Sequence, residues 1–325
     1  MEGWRVSRSN MSYIINLVRR CAEDMFRSSL YPVPQEKYTL ENLCDEYNAE
    51  VLTHTPYNEK EQPLTALLLR PHGKFISYVY VYSHANGENL EHAAHIGAML
   101  RDALGQGVAV LVYEYTGYAK PDVLERYLQE HKDDVMTSKL LLNEEAASAF
   151  HKKYKPSETE LYLDARAVAA VALQIKDREE YKGAKIVSFG RSLGGAMAVR
   201  VARCLKEQCA ALVLLSTFTS ALATMLTGYS LDMLHWLDLF RLKDDLSGIS
   251  SNTSLLVIHG TADELVSPNL ADKIYEASPL PERKIDEPGP KKTHKLLLGH
   301  THNSPTSQQG IEEVASYVKR FIKTL

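Results

Sequence analysis

The chain has 325 residues, 45% hydrophobic and 24% charged, with a formal net charge of −4, which is the usage of an ordinary soluble domain. That balance gives no ground for nucleic acid or an anionic membrane as principal partner, and no stretch approaches the roughly 18 apolar residues of a membrane span. Cys21, Cys44, Cys204 and Cys209 stand without a C-x-x-C spacing, which reads as the reduced thiols of a cytoplasmic protein rather than a disulfide framework.

Near the N-terminus the best apolar run, residues 13–18, is too short for a signal-peptide core and is followed by Arg19 and Arg20. Ile14, Leu17, Val18, Cys21 and Met25 recur at helical spacing, with Asn16, Arg19, Arg20 and Glu23 on the other faces. Such a helix over residues 12–27 suits either a peripheral membrane contact or packing against the body of the protein, and packing is the stronger reading. Tyr31-Pro32-Val33-Pro34 ends it as a stiff linker. The chain thus divides into an N-terminal helix and linker, 1–34, and one domain, 35–325.

Within the domain, residues 49–54 and 64–70 read as an antiparallel strand pair across a polar turn. Residues 76–82 are almost wholly apolar and aromatic, a strand buried on both faces, and run into Ser83-His84-Ala85-Asn86-Gly87. A helix is expected over 90–106 and another buried strand over 108–115. The next connection takes about thirty-five residues where two to six are usual. Its helix formers predict a helical insertion, 121–154, that either overhangs the strand ends as a lid or partner surface or packs at the periphery. Residues 161–174 supply a sheet-packing helix, 185–189 a short buried strand and 196–205 a further helix. Strands follow at 211–215, 254–259 and 295–298, helices at 271–277 and 310–325, and a charged, Pro/Gly-containing surface loop at 279–292. Two early strands and then repeated β-α units predict a mostly parallel central sheet of about eight strands with helices on both faces.

In such a sheet ligands bind beyond the carboxyl ends of the strands, and those ends carry the polar groups of one reaction. Gly190-Arg191-Ser192-Leu193-Gly194 fits G-x-S-x-G between a strand and a helix, the context of a nucleophile elbow. Asp263 follows a later strand and His302 the last, so the order Ser…Asp…His is that of an α/β-hydrolase triad. A serine hydroxyl needs a base to take its proton during attack. A neutral imidazole can do this and later protonate the leaving group, and a carboxylate on its other nitrogen fixes the tautomer. His300 shares the loop with His302, which is preferred as the base, and a helix-capping or turn role is the alternative for Asp263. Leu193 opens a helix, so its N–H points at a developing oxyanion. The second donor is expected from the loop after residues 76–82, Asn86 first and Ala85 next. Phe218, Leu226 and Trp236 are candidates for an apolar acyl-binding wall or, with equal weight, for the core. His84 and His259 are expected to brace loops, and His92 and His95 lack a third ligand at metal spacing. Neither a metal nor any other cofactor is called for.

With these residues in place the sequence resembles the serine α/β-hydrolases that include the protein depalmitoylases and related lipases. The likeness rests on Ser83-His84-Ala85-Asn86, Tyr113-Glu114-Tyr115-Thr116-Gly117-Tyr118, Lys155-Pro156-Ser157-Glu158 and the elbow. Ile258-His259-Gly260-Thr261-Ala262-Asp263-Glu264 and Gly299-His300-Thr301-His302-Asn303 complete it, in order over residues 28–325. The resemblance implies an α/β-hydrolase fold and hydrolysis of acyl thioesters or esters through an acyl-enzyme, with S-acylated proteins among the substrates. Ser192, Asp263 and His302 fall at the family's catalytic positions, and the match supports His302 over His300. The chain departs from the family where Ala85 and Thr301 replace glycines, where Glu114 replaces an aspartate, and where Cys21 stands alone in place of an N-terminal cysteine cluster. The insertion at 121–154 has no counterpart in those relatives. Two other readings compete: a serine peptidase of the prolyl-oligopeptidase type, against which Leu193 and the lack of room for a propeller count, and a non-catalytic binding module on the same fold.

Overall fold

The computed structural model describes residues 23, 31–32, 38–54, 64–118, 156–221, 238–285, 287–323 and 325. The rest of the N-terminal helix expected over 12–27, the insertion expected at 121–154, Leu226 and Trp236 lie outside the described residues.

Runs rich in Val, Leu and Tyr with a two-residue alternation build an eight-stranded sheet. Its strands are β1 (Ala49–His54), β2 (Leu64–Leu69), β3 (Tyr78–Ser83), β4 (Val108–Tyr113), β5 (Lys185–Arg191), β6 (Cys209–Leu215), β7 (Ser254–Gly260) and β8 (Lys292–Leu297). They lie in the order β1-β2-β4-β3-β5-β6-β7-β8. β2 runs antiparallel to both its neighbours, and every other pairing is parallel. The helices are α1 (Leu40–Tyr47), α2 (Leu90–Leu104), α3 (Glu158–Lys176), α4 (Leu193–Leu205), the short α5 (Leu242–Asp245), α6 (Asn269–Ala277) and α7 (Gln308–Ile322).

Alternate strand residues feed two cores. Val79, Val81, Leu212 and Leu214 pack with Leu161 and Val168 of α3, Met197 and Val201 of α4, and Ile274 of α6. Tyr80, Tyr82, Val187, Phe189 and Val213 face the other way, onto Leu100 of α2, Val314 of α7 and Leu43 of α1. Each fully buried aliphatic side chain contributes about 1.5–3 kcal/mol, so slipping a central strand by one residue would forfeit both faces at once.

Side-chain caps start most of the longer helices. Asn89 Oδ1 accepts from the His92 amide, Ser157 Oγ from Glu160 and Ser307 Oγ from Gly310. The helix α1, capped by Thr39 and closed by Asn48 at a φ of 52°, is an element the sequence reading lacks, although Leu40, Leu43, Cys44 and Tyr47 recur at helical spacing and turn toward the core. Two expectations are corrected. Tyr31, assigned to a linker, is buried and packs edge-on against Phe240, and its hydroxyl bonds the Glu23 carboxylate, which also accepts from the Glu158 amide at the start of α3. The loop at 279–292 is not wholly superficial, since Leu280 and Lys291 are buried and the Lys291 ammonium donates to the Ile285 and Glu287 carbonyls.

The strand order reverses at β3, whose neighbours are β4 on one side and β5 on the other. Such a switch point opens a crevice between the carboxyl ends of two strands. Here those ends are the loop after Ser83 and the turn at Ser192.

Candidate active site

Ser192 ends the strand-to-turn passage with φ 52° and ψ −120°, a conformation that side chains rarely adopt and that local packing must impose. Its amide donates to the Leu215 carbonyl at 3.0 Å, and its carbonyl accepts from Gly195 N and Thr217 Oγ1. The two glycines are required by close approach. A Cβ on Gly190 would stand 2.1 Å from the Gly194 carbonyl oxygen, and one on Gly194 would stand 2.0 Å from the Ser83 carbonyl oxygen. Ser192 occupies the N-cap of α4, where a serine normally bonds the helix's own amides, yet it makes no capping bond.

The hydroxyl instead faces histidine. His302 Nε2 lies 3.1 Å from Ser192 Oγ, and His302 Nδ1 lies 2.9 Å from Asp263 Oδ2. A carboxylate only accepts, so Nδ1 carries the proton and Nε2 is left to accept from the serine. Asp263 Oδ1 takes the amides of Leu265 and Val266 at 3.0 and 2.8 Å. His259 Nε2 sits 3.1 Å from Asp263 Oδ2 and 2.9 Å from the Val266 carbonyl, its single proton shared between them. Burial alone would raise the Asp263 carboxyl, but the hydrogen bonds from His259, His302 and the Val266 amide outweigh it and hold the group well below the usual carboxylate range. His300, the alternative base, is turned to Glu313 at 3.1 Å. Thr301, where the resembled family has glycine, bonds Ser304 with its amide and leaves His302 beside Ser192.

The end of β3 and the loop after it are held by three tyrosines, one ending β4 and two in the turn that follows it. Tyr113 shares a hydrogen bond with Ser83 Oγ at 2.8 Å, Tyr115 donates to the His84 carbonyl at 2.8 Å, and Tyr118 donates to Asn86 Oδ1 at 2.6 Å. His84 stacks on Tyr115 at 3.7 Å and braces the Ala85 carbonyl through Nδ1. Burial pushes the His84 imidazole down to about 3, partly opposed by that bond, so it is neutral at physiological pH. Glu114 accepts from the Leu90 amide and the Tyr38 hydroxyl, and its burial, only partly offset by these bonds, raises it to about 7. Asp164 is likewise raised to about 7 by burial, against hydrogen bonds from the Thr116 amide and hydroxyl.

A cavity of about 530 Å³ opens at these strand ends, lined on its polar side by Asn86, Glu88, Arg191 and Ser192, and on its apolar side by Phe218, Phe240, Leu265 and Val266. Ser192, His302 and Asp263 therefore come together, with Leu193, Ala85, Asn86 and Phe218 around the same space. Sequence reasoning missed Arg191, Glu88, Tyr118 and Phe240 as parts of the site. The signal available was slight: a charged residue ending a buried strand, and hydroxylated rings at 113, 115 and 118.

No protein-family model matches the chain. An uncharacterized membrane protein of Saccharomyces cerevisiae is 31% identical over 165 residues, 49% of this chain and 53% of that protein. An uncharacterized protein of Mycobacterium tuberculosis is 35% identical over 140 residues, 42% of this chain and 46% of that protein. The chain spans about half the length of the curated relatives it matches. Among solved structures, an esterase of Pyrococcus furiosus superposes with a TM-score of 0.54 at 16% identity, covering 90% of this chain and 98% of its own. A carboxyl esterase of Tuber melanosporum gives 0.51 at 15% identity over 90% of each chain. A puromycin-hydrolyzing peptidase of Mycobacterium tuberculosis gives 0.53 at 12% identity, over 84% of this chain and 39% of that one. At these identities the likeness establishes the fold, and the chain has the α/β-hydrolase fold. No helix among the described residues is long and apolar enough to cross a membrane.

Proposed function

We propose that the chain is a serine hydrolase that cleaves acyl esters or thioesters through a covalent acyl-enzyme. One observation carries this reading: the unbroken chain from Ser192 Oγ to His302 Nε2 at 3.1 Å and from His302 Nδ1 to Asp263 Oδ2 at 2.9 Å. In the proposed reaction Ser192 Oγ attacks the acyl carbonyl carbon while its proton passes to His302 Nε2. The negative charge on the tetrahedral intermediate is met by the N–H of Leu193, aided by the α4 dipole, and by the N–H of Asn86. Both Asn86 and Ala85 line the cavity beside Ser192, and the Ala85 amide donates to Glu88 at 2.8 Å. Collapse breaks the bond to the thiolate or alkoxide, which takes the proton from His302, and a water repeats the cycle in reverse to free the acid. Phe218, Phe240, Leu265 and Val266 suit an apolar acyl chain, consistent with a lipase, an esterase or a protein depalmitoylase as the finer reading.

A fluorophosphonate probe tests the proposal. Wild-type protein should be labelled on Ser192 at pH 7–8, and Ser192→Ala should not. An unlabelled wild type would overturn the enzyme reading in favour of a binding module. The likeness to a puromycin-hydrolyzing peptidase keeps a serine peptidase as the second reading. Parallel turnover of acyl thioesters, p-nitrophenyl esters of graded length and prolyl peptides separates the two, and preference for the peptides would replace the esterase assignment.

A further inference from the structure

The second position of G-x-S-x-G is unspecified by the motif, and here it holds a buried charge. Arg191 ends β5 and is 4% exposed. Its guanidinium reaches two other segments. Nη1 pairs with Glu88 Oε1 in the loop after β3, while Nη2 donates to Asn303 Oδ1 at 2.5 Å and to the His302 carbonyl at 3.4 Å in the loop after β8. The other oxygen of Glu88 accepts the Ala85 amide at 2.8 Å.

Stability alone is a poor account of this arrangement, because an apolar residue of similar volume usually fills such a space as well as an ion pair does. An apolar residue cannot, however, set two loops in register on a third strand. A planar fork of donors can, since each arm fixes the direction as well as the distance of its acceptor.

We infer that Arg191 is a positioning residue that registers both the oxyanion loop and the base loop on the strand carrying Ser192, an inference that rests on the hydrolase reading above. Through Glu88 it holds the turn containing Ala85 and Asn86. Through Asn303 and the His302 backbone it holds the imidazole over the serine. The charge of Arg191 is engaged by protein acceptors on both arms, so its effect reaches the reaction through the geometry of the other groups.

The test uses the full chain and two readouts: the rate of fluorophosphonate labelling of Ser192, and kcat and KM for p-nitrophenyl butyrate, each normalised to folded protein. Arg191→Met should lower kcat and the labelling rate by about tenfold to a hundredfold with KM within about threefold, and Arg191→Lys should fall between it and wild type. Glu88→Gln and Asn303→Ala should each cost about tenfold in the wild type and no more than about twofold further in the Arg191→Met background, because the coupling they carry is already lost. A purely structural role would lower the melting temperature and leave both the rates of the folded protein and this non-additivity unmoved. Effects that simply multiply overturn the proposal. So do rates within about twofold of wild type for Arg191→Lys, Glu88→Gln and Asn303→Ala alike, the three variants that carry the test where Arg191→Met does not fold. An unlabelled wild type removes the hydrolase reading itself, whereas a labelled wild type with unaffected variants removes only the role of Arg191.

Discussion

Ser192 sits at a helix N-cap and does not cap, and at the residue scale the proposed chemistry rests on that single diversion of a hydroxyl toward His302. Asp263 is the residue on which the proposed base depends, because its two oxygens are saturated by His302, His259 and two backbone amides. Asp263→Asn preserves size but offers an amide where an acceptor is needed, favouring the wrong imidazole tautomer. Ester turnover should fall about 10⁴-fold with little change in the far-ultraviolet circular dichroism spectrum. Glu114 supports a different prediction. Its folded pKa of about 7 lies above the unfolded value, so the native state binds the proton more tightly and stability must decline as pH rises from about 4.5 through 7. Asp164 has the same sign. Glu114→Gln, which resembles the protonated form, should remove part of that decline, on the order of 3 kcal/mol between pH 5 and 8. Urea midpoints at the two pH values measure it, and an equally steep decline in the variant would refute the assignment.

At the scale of elements, the end of β4 acts as a scaffold for the loop after β3. Tyr113, Tyr115 and Tyr118 each hold one successive part of Ser83, His84 and Asn86, so the loop is ordered before any substrate arrives. Tyr118→Phe keeps the ring packed against Tyr115 and removes only the hydroxyl that Asn86 Oδ1 accepts. It should lower kcat by about tenfold while costing about 1 kcal/mol in stability. A fall in KM-dependent binding alone, with kcat retained, would mean that Asn86 orients substrate rather than the transition state. The junction of β5 and α4 shows how element and site are tied together. Gly194 lets the start of the helix touch the Ser83 carbonyl, and this contact sets the elbow against the same loop.

Across the whole molecule, the central strands form one cooperative sheet with a core on each face. Cys209 begins β6 in its interior, and burial pushes its thiol up to about 12 against hydrogen bonds from neighbouring groups. Cys44 and Cys204 are half-buried at the periphery, with smaller upward shifts from the same cause. Iodoacetamide at pH 7.5 should therefore modify Cys204 and Cys44 in the native protein and reach Cys209 only at the rate of global unfolding. Native-state modification of Cys209 as fast as Cys204 would show that the centre of the sheet opens locally.

The α/β architecture was legible in the residues because a doubly buried strand reads as a continuous apolar run and a sheet-packing helix as a 3.6-residue stripe. The strands around β3 to β7 were accordingly found within a few residues of their ends. The positions of Ser192, Asp263 and His302 were legible for a related reason: each follows a strand whose carboxyl end faces the same side of a parallel sheet. The burial of Tyr31 was not, since it depends on Phe240 from a distant segment, and neither was the anchoring of Lys291, since a lysine among charges and prolines carries no pattern that marks it as buried. Chain order alone could place three reactive groups at one end of the sheet. Only the meeting of the loops after β3 and β8 at the end of β5 decided that Arg191 would contact Glu88 and Asn303, and that His302 rather than His300 would turn toward the serine. Side-chain direction at a loop is set by what surrounds it in space, and a linear pattern carries no record of that.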